Sequence, residues 1–182
     1  MKKPVLNALG VTIMAVAGLV ILAAFAAQHQ TPAERAPAIA PAPNGIAFPV
    51  GYKDWRLIAV SHRTDNHSLR AIVGNDVAIK AARSGHTNPW PDGTILGKLV
   101  FGDTVREDDW PAATVPDQFW LAEFMHKDAA KYAATGGWGF ARWLGPEQKP
   151  YGGDASFAQE CFACHTPMKA HDYVFTHPVN LP

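Results

Sequence analysis

Residues 161–165 read Cys161-Phe162-Ala163-Cys164-His165 and contain both cysteines of this 182-residue chain. The spacing C-x-x-C-H is the pattern by which haem c is attached. Each thiol adds to one vinyl group of the porphyrin, and the spacing places both sulfurs on one side of a helical turn. The next residue, His165, is then held against the iron as its proximal ligand. The sequence therefore predicts one covalently attached haem c per chain, bound by Cys161 and Cys164, with His165 as the metal ligand.

Other uses of this cysteine spacing fit the chain less well. A thioredoxin-like dithiol needs a strand-to-helix turn early in a parallel sheet and has no use for His165. A zinc site needs further Cys or His ligands at matching spacing, and the sequence contains no second C-x-x-C. A disulfide between Cys161 and Cys164 would close a short, strained loop.

The position of the motif excludes two common classes of cytochrome. Only 17 residues follow His165, whereas small electron-transfer cytochromes carry the motif early and a methionine ligand much later. Four-helix-bundle cytochromes also carry the motif late. The predicted strands and the 15 Gly and 15 Pro of this chain do not fit a bundle.

Length and charge indicate one globular domain with a leader. A chain of 182 residues can bury a sizeable core without disulfides. The 16 basic and 16 acidic residues give a net charge of zero. Because phosphate contacts need a basic surplus, we predict no nucleic-acid partner.

The first 27 residues predict a targeting segment. Lys2 and Lys3 precede an uncharged apolar run over residues 8–27, an arrangement that directs the rest of the chain across a membrane. Ala24-Phe25-Ala26 resembles a signal-peptidase site, but about 20 apolar residues can also span a bilayer. A cleaved signal peptide and an N-terminal membrane anchor both remain open. Both place the domain outside the cytoplasm, in the periplasm of a Gram-negative source.

The next segment, residues 28–46, is rich in Pro and Ala and predicts an extended linker. The haem domain is then predicted over residues 47–182, beginning near Phe48-Pro49.

Hydrophobic periodicity and turn signals predict an α+β domain, mostly antiparallel β-sheet with a few short helices. One helix over residues 77–83 has its N-cap at Asn75 or Asp76 and its stop at Gly85. A second short helix is predicted over residues 127–134, and the C-terminal helix carries the haem c motif. The predicted strands cover residues 55–60, 68–73, 94–101, 117–126 and 138–144.

Two ionisable residues lie on predicted apolar strand faces. Period two places Lys98 between Leu96 and Val100. It places Glu123 with Phe119, Leu121 and Met125. A lone buried charge is costly, so without a cofactor the ordinary interpretation is that these faces meet water. A haem needs apolar faces to cover it, and a carboxylate on such a face is a candidate proton acceptor.

A series of landmarks occurs in order between Phe48 and Thr176. They are Phe48-Pro49-x-Gly51-Tyr52-x-x-Trp55, Arg70 before Asn75, Asp92-Gly93-Thr94-x-x-x-Lys98, Glu123 followed by Lys127-Asp128, Gly137-Trp138, the haem motif, and Asp172-x-Val174-Phe175-Thr176. The ordered set resembles the cytochrome P-460 family, bacterial haem c proteins with a mostly antiparallel β fold.

This resemblance implies roles for three further residues. In hydroxylamine-oxidising members, a Lys at the position of Lys98 is bonded through its side-chain nitrogen to a haem meso carbon. The distal carboxylate that accepts substrate protons falls on Glu123, and an Arg near the haem edge falls on Arg70. The resemblance thus implies Glu123, Lys98 and Arg70 as catalytic residues. It also implies a five-coordinate iron whose open side binds hydroxylamine or nitric oxide.

We therefore predict a periplasmic mono-haem c protein that oxidises hydroxylamine or a related small nitrogen species and passes electrons to a periplasmic acceptor. One alternative is a gas-binding protein like the sister group cytochrome c′-beta, which lacks the cross-link and has an apolar distal side; Phe119 and Phe124 are candidates for that lining. Another is an electron carrier with a sixth iron ligand. For such a carrier, the candidate sixth ligands are Met125, Met168, His126, His171 and His177.

Family members are often dimers, so the resemblance also implies a possible homodimer.

Overall fold

The computed structural model describes residues 38–108 and 113–179. Within these ranges the strands form one six-stranded antiparallel sheet whose neighbours follow chain order. This confirms the predicted α+β class. The strands are β1 (Arg56–Arg63), β2 (Ser68–Gly74), β3 (Ile95–Arg106), β4 (Ala113–Lys127), β5 (Trp138–Leu144) and β6 (Lys149–Pro150).

Two α-helices accompany the sheet in the described ranges. In α1 (Asp76–Ser84), the Asn75 side chain accepts a hydrogen bond from the amide of Ala78 at 3.0 Å, and Gly85 ends the helix in the left-handed region at φ 73°. These are the predicted caps. The second helix, α2 (Phe157–His165), carries the cysteine motif and continues into a 3₁₀ helix over Thr166–His171.

The α-helix predicted over residues 127–134 does not form. Strand β4 continues to Lys127, and a turn with a 3₁₀ helix over Ala133–Thr135 leads to β5. The backbone of Lys127 donates to the carbonyl of Thr94 at 2.9 Å and pairs with Trp138 in the ladder. These sheet contacts override the local helix propensity of this segment.

Part of the predicted linker packs on the sheet. Ala42 and Ile46 are only 2% and 4% exposed, and the compact unit begins at Ile39. The indole of buried Trp143 donates to the carbonyl of Ala40 at 2.9 Å, which gives a buried N–H its partner. The folded part therefore begins before the boundary predicted at residue 47.

The leader prediction lies outside the described residues. No helix within residues 38–108 and 113–179 is long and apolar enough to cross a membrane. The apolar run over residues 8–27, predicted as a signal peptide or anchor, is not among them.

The sheet has apolar residues on both faces. The front face carries Ile72, Leu96 and Phe140, which pack with α1 in one buried cluster. The back face carries Ala122, Phe124 and Trp143, which pack under the segment from Ala42 to Trp55. Cys161 of α2 contacts both clusters.

A β-bulge in β4 changes the predicted face of Phe119. Leu121 pairs with Val100, but Phe119 pairs with the next residue of β3, Phe101, so Trp120 is an extra residue. An extra residue reverses the direction of the side chains beyond it. Phe119 therefore packs on the back-face cluster, against Phe101 at 5.5 Å between ring centroids. The prediction that it shares a face with Glu123 was wrong.

A buried ion pair joins β4 to the C-terminal segment. The ammonium of Lys127 donates to Asp172 Oδ1 at 2.7 Å, and both side chains are below 10% exposed. The other carboxylate oxygen of Asp172 accepts a hydrogen bond from the amide of Trp90 at 2.8 Å. The backbone carbonyl of Asp172 accepts one from the indole of Trp138, also at 2.8 Å. These bonds satisfy the buried charges and fix the chain just after α2.

Replacing Asp172 by Ala should cost about 3–5 kcal/mol of unfolding free energy, because it leaves Lys127 buried without a counter-charge. Urea unfolding of the wild type and variant measures the difference. The matched control is Asp108→Ala, which removes an exposed partner of Arg106 and should leave the transition midpoint unchanged. Equal midpoints for Asp172→Ala and the wild type would contradict a structural role for this pair.

Candidate haem site

Three charged side chains form a row across the front face. The ladder pairs Lys98 of β3 with Glu123 of β4, and Glu123 with Arg142 of β5. Directly paired residues in an antiparallel sheet point to the same side. Glu123 accordingly forms an ion pair with Lys98 through Oε2, and its Oε1 accepts from Nε of Arg142 at 2.6 Å.

The row holds Glu123 in its charged form. Burial disfavours the charged carboxylate, but the charges and hydrogen bonds of Lys98 and Arg142 outweigh it, so the pKa of Glu123 lies below its ordinary value of 4.5. The side chain is 20% exposed. A carboxylate that is ionised, partly desolvated and hydrogen-bonded at fixed positions can accept a proton from a bound molecule.

His165, the last residue of α2, has its ring orientation set by the chain that follows it. Its Nδ1 lies 2.7 Å from the carbonyl oxygen of Tyr173. A carbonyl can only accept, so Nδ1 carries the proton and Nε2 carries the free lone pair. The ring packs against those of Phe140 and Phe175, at 5.2 and 5.0 Å between centroids. Burial lowers the pKa of His165, which favours the neutral ring that a metal requires.

Helix α2 presents the thiol of Cys161 near the charged row. Both cysteines are free; Cys161 is half-buried and Cys164 is exposed. Burial raises the pKa of Cys161, and the nearby charge of Arg142 partly offsets this. The charges of Lys98 and Glu123 also act on the pKa of Cys161 and of His165. The fold therefore brings the sequence motif and the two predicted strand residues into one site.

Arg70 of β2 lies on the same face, because it pairs with Val100 two residues from Lys98. Its Nε is buried without a hydrogen-bond partner. Burial and the charge of Arg63 lower the pKa of Arg70, while the charge of Glu123 raises it. A buried guanidinium nitrogen without a partner is costly, so this position suits an anionic group.

Comparison with known families agrees with this site. The sequence model described as Cytochrome P460 matches residues 49–176, more than half of the chain. The chain belongs to the cytochrome P460 family. This confirms the resemblance drawn from the ordered landmarks, and it implies a haem-type cofactor for the protein. A search of curated proteins finds no match to the chain.

The residues of this cytochrome P460 domain fit a haem. The neutral ring of His165 has the free Nε2 that an axial ligand needs. Cys161 and Cys164 are unpaired thiols one helical turn apart. The orphaned Nε of Arg70 is a donor of the kind that a haem propionate would satisfy.

Several candidates from the sequence lie elsewhere in the cytochrome P460 fold. Phe119 and Phe124 pack on the back face, so neither lines the side on which Glu123 lies. His126 also points to the back face, since strand residues alternate, and burial lowers its pKa to about 4. Met125 packs in the front-face cluster beside Leu96 and Phe140.

The remaining sixth-ligand candidates lie beyond α2. Met168 and His171 belong to the 3₁₀ helix that directly follows His165. His171 packs against His177, at 5.6 Å between ring centroids. Met168 and His171 follow His165 by only three and six residues, a span too short to reach the opposite face of a haem easily.

Sequence reasoning missed Arg142 and Tyr173. Arg142 alternates with Phe140 and Leu144 on β5, the same period-two signal that identified Lys98, so it could have been found. Tyr173 contributes a backbone carbonyl with both Asp172 and Tyr173 at positive φ, 50° and 63°. No side-chain pattern indicates a carbonyl direction.

The depressed pKa of Glu123 predicts a pH-dependent contribution to stability. Ionised Glu123 should stabilise the fold above its ordinary value of 4.5, and this contribution should vanish as the pH falls through the lower folded-state pKa. Urea unfolding of wild type and Glu123→Gln should therefore differ most at neutral pH and converge in acid.

The quantity to follow is the difference in unfolding free energy between wild type and Glu123→Gln at each pH. The lowered pKa of His126 makes both proteins lose stability over a partly overlapping pH range, and this loss cancels in the difference. Glu107→Gln, at an exposed glutamate, is the control and should track the wild type. A wild-type-minus-variant difference that stays constant from pH 7 to about pH 3 would contradict an ionised, ion-paired Glu123.

Proposed function

We propose that this cytochrome P460 protein carries a covalently attached haem c and oxidises hydroxylamine, with Glu123 as the proton acceptor. One observation carries the proposal: Glu123 is held ionised between Lys98 and Arg142, on the face that α2 and His165 approach. In this proposal His165 is the iron ligand, and Cys161 and Cys164 are the covalent anchors.

The reaction sets what the protein side chains must do. Oxidation of hydroxylamine to nitric oxide releases equal numbers of protons and electrons. The haem supplies the iron to which the nitrogen substrate binds and through which its electrons leave for an external acceptor protein. Glu123 takes the protons at Oε2, the oxygen that faces Lys98, and passes them to solvent. A carboxylate in this position typically contributes about 10²–10⁴-fold to the rate.

Lys98 is the residue proposed to bond the haem through its side-chain nitrogen. In the ion pair with Glu123 its nitrogen lies next to a proton acceptor, and a lysine must lose its proton before it can act as a nucleophile. The bond replaces one hydrogen on the nitrogen and one on the haem carbon, so an external oxidant such as a peroxide must take up both. The resulting link distorts and tunes the haem.

The polar front face favours this function over passive gas binding. A gas-binding site of the cytochrome c′-beta type has an apolar distal side, and the two phenylalanines considered for that role pack on the back face. The residues near the thiol of Cys161 are instead a carboxylate and two cations. A periplasmic location, with the domain either released or anchored by residues 8–27, and a periplasmic electron acceptor belong to the same proposal.

Glu123→Gln should lower kcat/KM for hydroxylamine by about 10²–10⁴-fold, because the amide cannot accept the substrate proton. Oxidation is followed with an artificial electron acceptor, and Glu107→Gln serves as the control that should keep the wild-type rate. An unaltered rate in Glu123→Gln would remove the proposed role. A wild type that binds nitric oxide but never oxidises hydroxylamine would point to the gas-binding alternative.

Attachment of the haem is tested by intact mass and by the reduced absorption spectrum. Wild type should retain haem after denaturation, and Cys161→Ser/Cys164→Ser should not retain it through thioethers. Wild type should be two hydrogens lighter than the sum calculated for its chain and haem c, whereas Lys98→Leu should equal its own calculated sum and return a red-shifted Soret band to the ordinary haem c position. A wild type whose mass equals the sum calculated for its chain and haem c, and whose spectrum matches that of Lys98→Leu, would show that the lysine bond does not form.

A further inference from the structure

The two oxygens of the Glu123 carboxylate have different partners. Oε1 receives both Nε and a terminal nitrogen of Arg142, at 2.6 and 2.5 Å, whereas Oε2 is in contact with Lys98. We propose that Arg142 is a positioning residue: it binds Oε1 of Glu123 and so leaves Oε2 as the oxygen that takes the substrate proton. This inference deepens the proposed function and rests on it for the role of Oε2.

Arg142 is itself fixed from the side away from Glu123. Its guanidinium lies over the ring of Tyr151, 4.6 Å from the centroid. The amide of Tyr151 donates to the carbonyl of Arg142 at 2.9 Å, and its hydroxyl donates to Glu160 at 3.2 Å. Tyr151 also packs edge-on against Phe157 of α2. Backbone pairing, ring stacking and α2 therefore hold the guanidinium in place independently of Lys98.

An arginine suits this role better than a second lysine. The guanidinium is planar and always charged, and its fork of donors can bind one oxygen in a defined direction. Lys98 must lose its charge if its nitrogen bonds a haem carbon, whereas Arg142 stays charged. Arg142 thus continues to favour the ionised form of Glu123 whether Lys98 is an ammonium or a linked amine.

Other charged and titratable groups also face Glu123. Arg70 acts on it from β2 without a hydrogen bond, and the pKa values of two α2 residues depend on its charge. Among the described side chains, Lys98 and Arg142 are the cations that contact its oxygens. The groups facing it are Lys98, Arg142, Arg70, Cys161 and His165.

The test is an infrared titration of the Glu123 carboxyl in the haem-loaded protein. The band is assigned by its loss in Glu123→Gln. Arg142→Gln should raise the titration midpoint by about 1–3 pH units, the usual effect of a neighbouring opposite charge. Arg142→Lys should give a smaller rise, since it keeps the charge and loses the fork. Arg106→Gln, at an exposed arginine remote from the site, should leave the midpoint unchanged.

A further variant separates the two cations. In Lys98→Leu the midpoint should rise, because the charge of Lys98 also lowers the pKa of Glu123, and adding Arg142→Gln in that background should raise it again. A midpoint that is unchanged in Arg142→Gln, or in Arg142→Lys should the glutamine variant fail to fold, would overturn the assignment.

Kinetics distinguish this inference from the proposed function. In Arg142→Gln, kcat for hydroxylamine should fall at unchanged KM and the acid limb of the pH–rate profile should move to higher pH, with partial rescue in Arg142→Lys. If wild type does not oxidise hydroxylamine but the infrared midpoint shifts, the function fails and the positioning of Glu123 stands. If wild type is active and neither midpoint nor profile shifts, the function stands and the role of Arg142 fails.

Discussion

The pairing of β3 with β4 places Lys98 directly opposite Glu123, and the site depends on this register. A slip of one residue would send one of the two side chains to the back face. The next pairing, of β4 with β5, adds Arg142 to the same row. A carboxylate between two cations keeps its charge despite its burial, so the ladder itself sets the protonation state of the candidate acid–base group.

The orientation of His165 depends on a second electrostatic contact. The buried pair of Lys127 and Asp172 fixes the chain just after α2, and the next residue, Tyr173, supplies the carbonyl that orients His165. Strand β4 therefore contributes to both contacts, because Glu123 lies in its middle and Lys127 at its end. Changes that loosen this strand should disturb the orientation of His165 as well as the position of the Glu123 carboxylate.

Much of the fold could be predicted because local signals and tertiary contacts agree. The strands, the capped helix α1 and the haem motif on the last helix all follow from periodicity, caps and spacing. The short helix predicted at residue 127 failed because Lys127 is bound to Thr94, Trp138 and Asp172, partners far away in the chain. Phe119 was placed on the wrong face because a bulge at Trp120 breaks strict alternation.

The sequence by itself determined the chemistry of this protein: the thiols and histidine of the motif, a lysine and a glutamate on apolar strand faces, and the family. These are properties of residue type and spacing, which a chain carries before it folds. Only the tertiary structure decided that Lys98, Glu123 and Arg142 form one row and that the carbonyl of Tyr173 orients the ring of His165. Strand register and carbonyl direction arise from contacts between distant segments, and no local pattern of side chains encodes them.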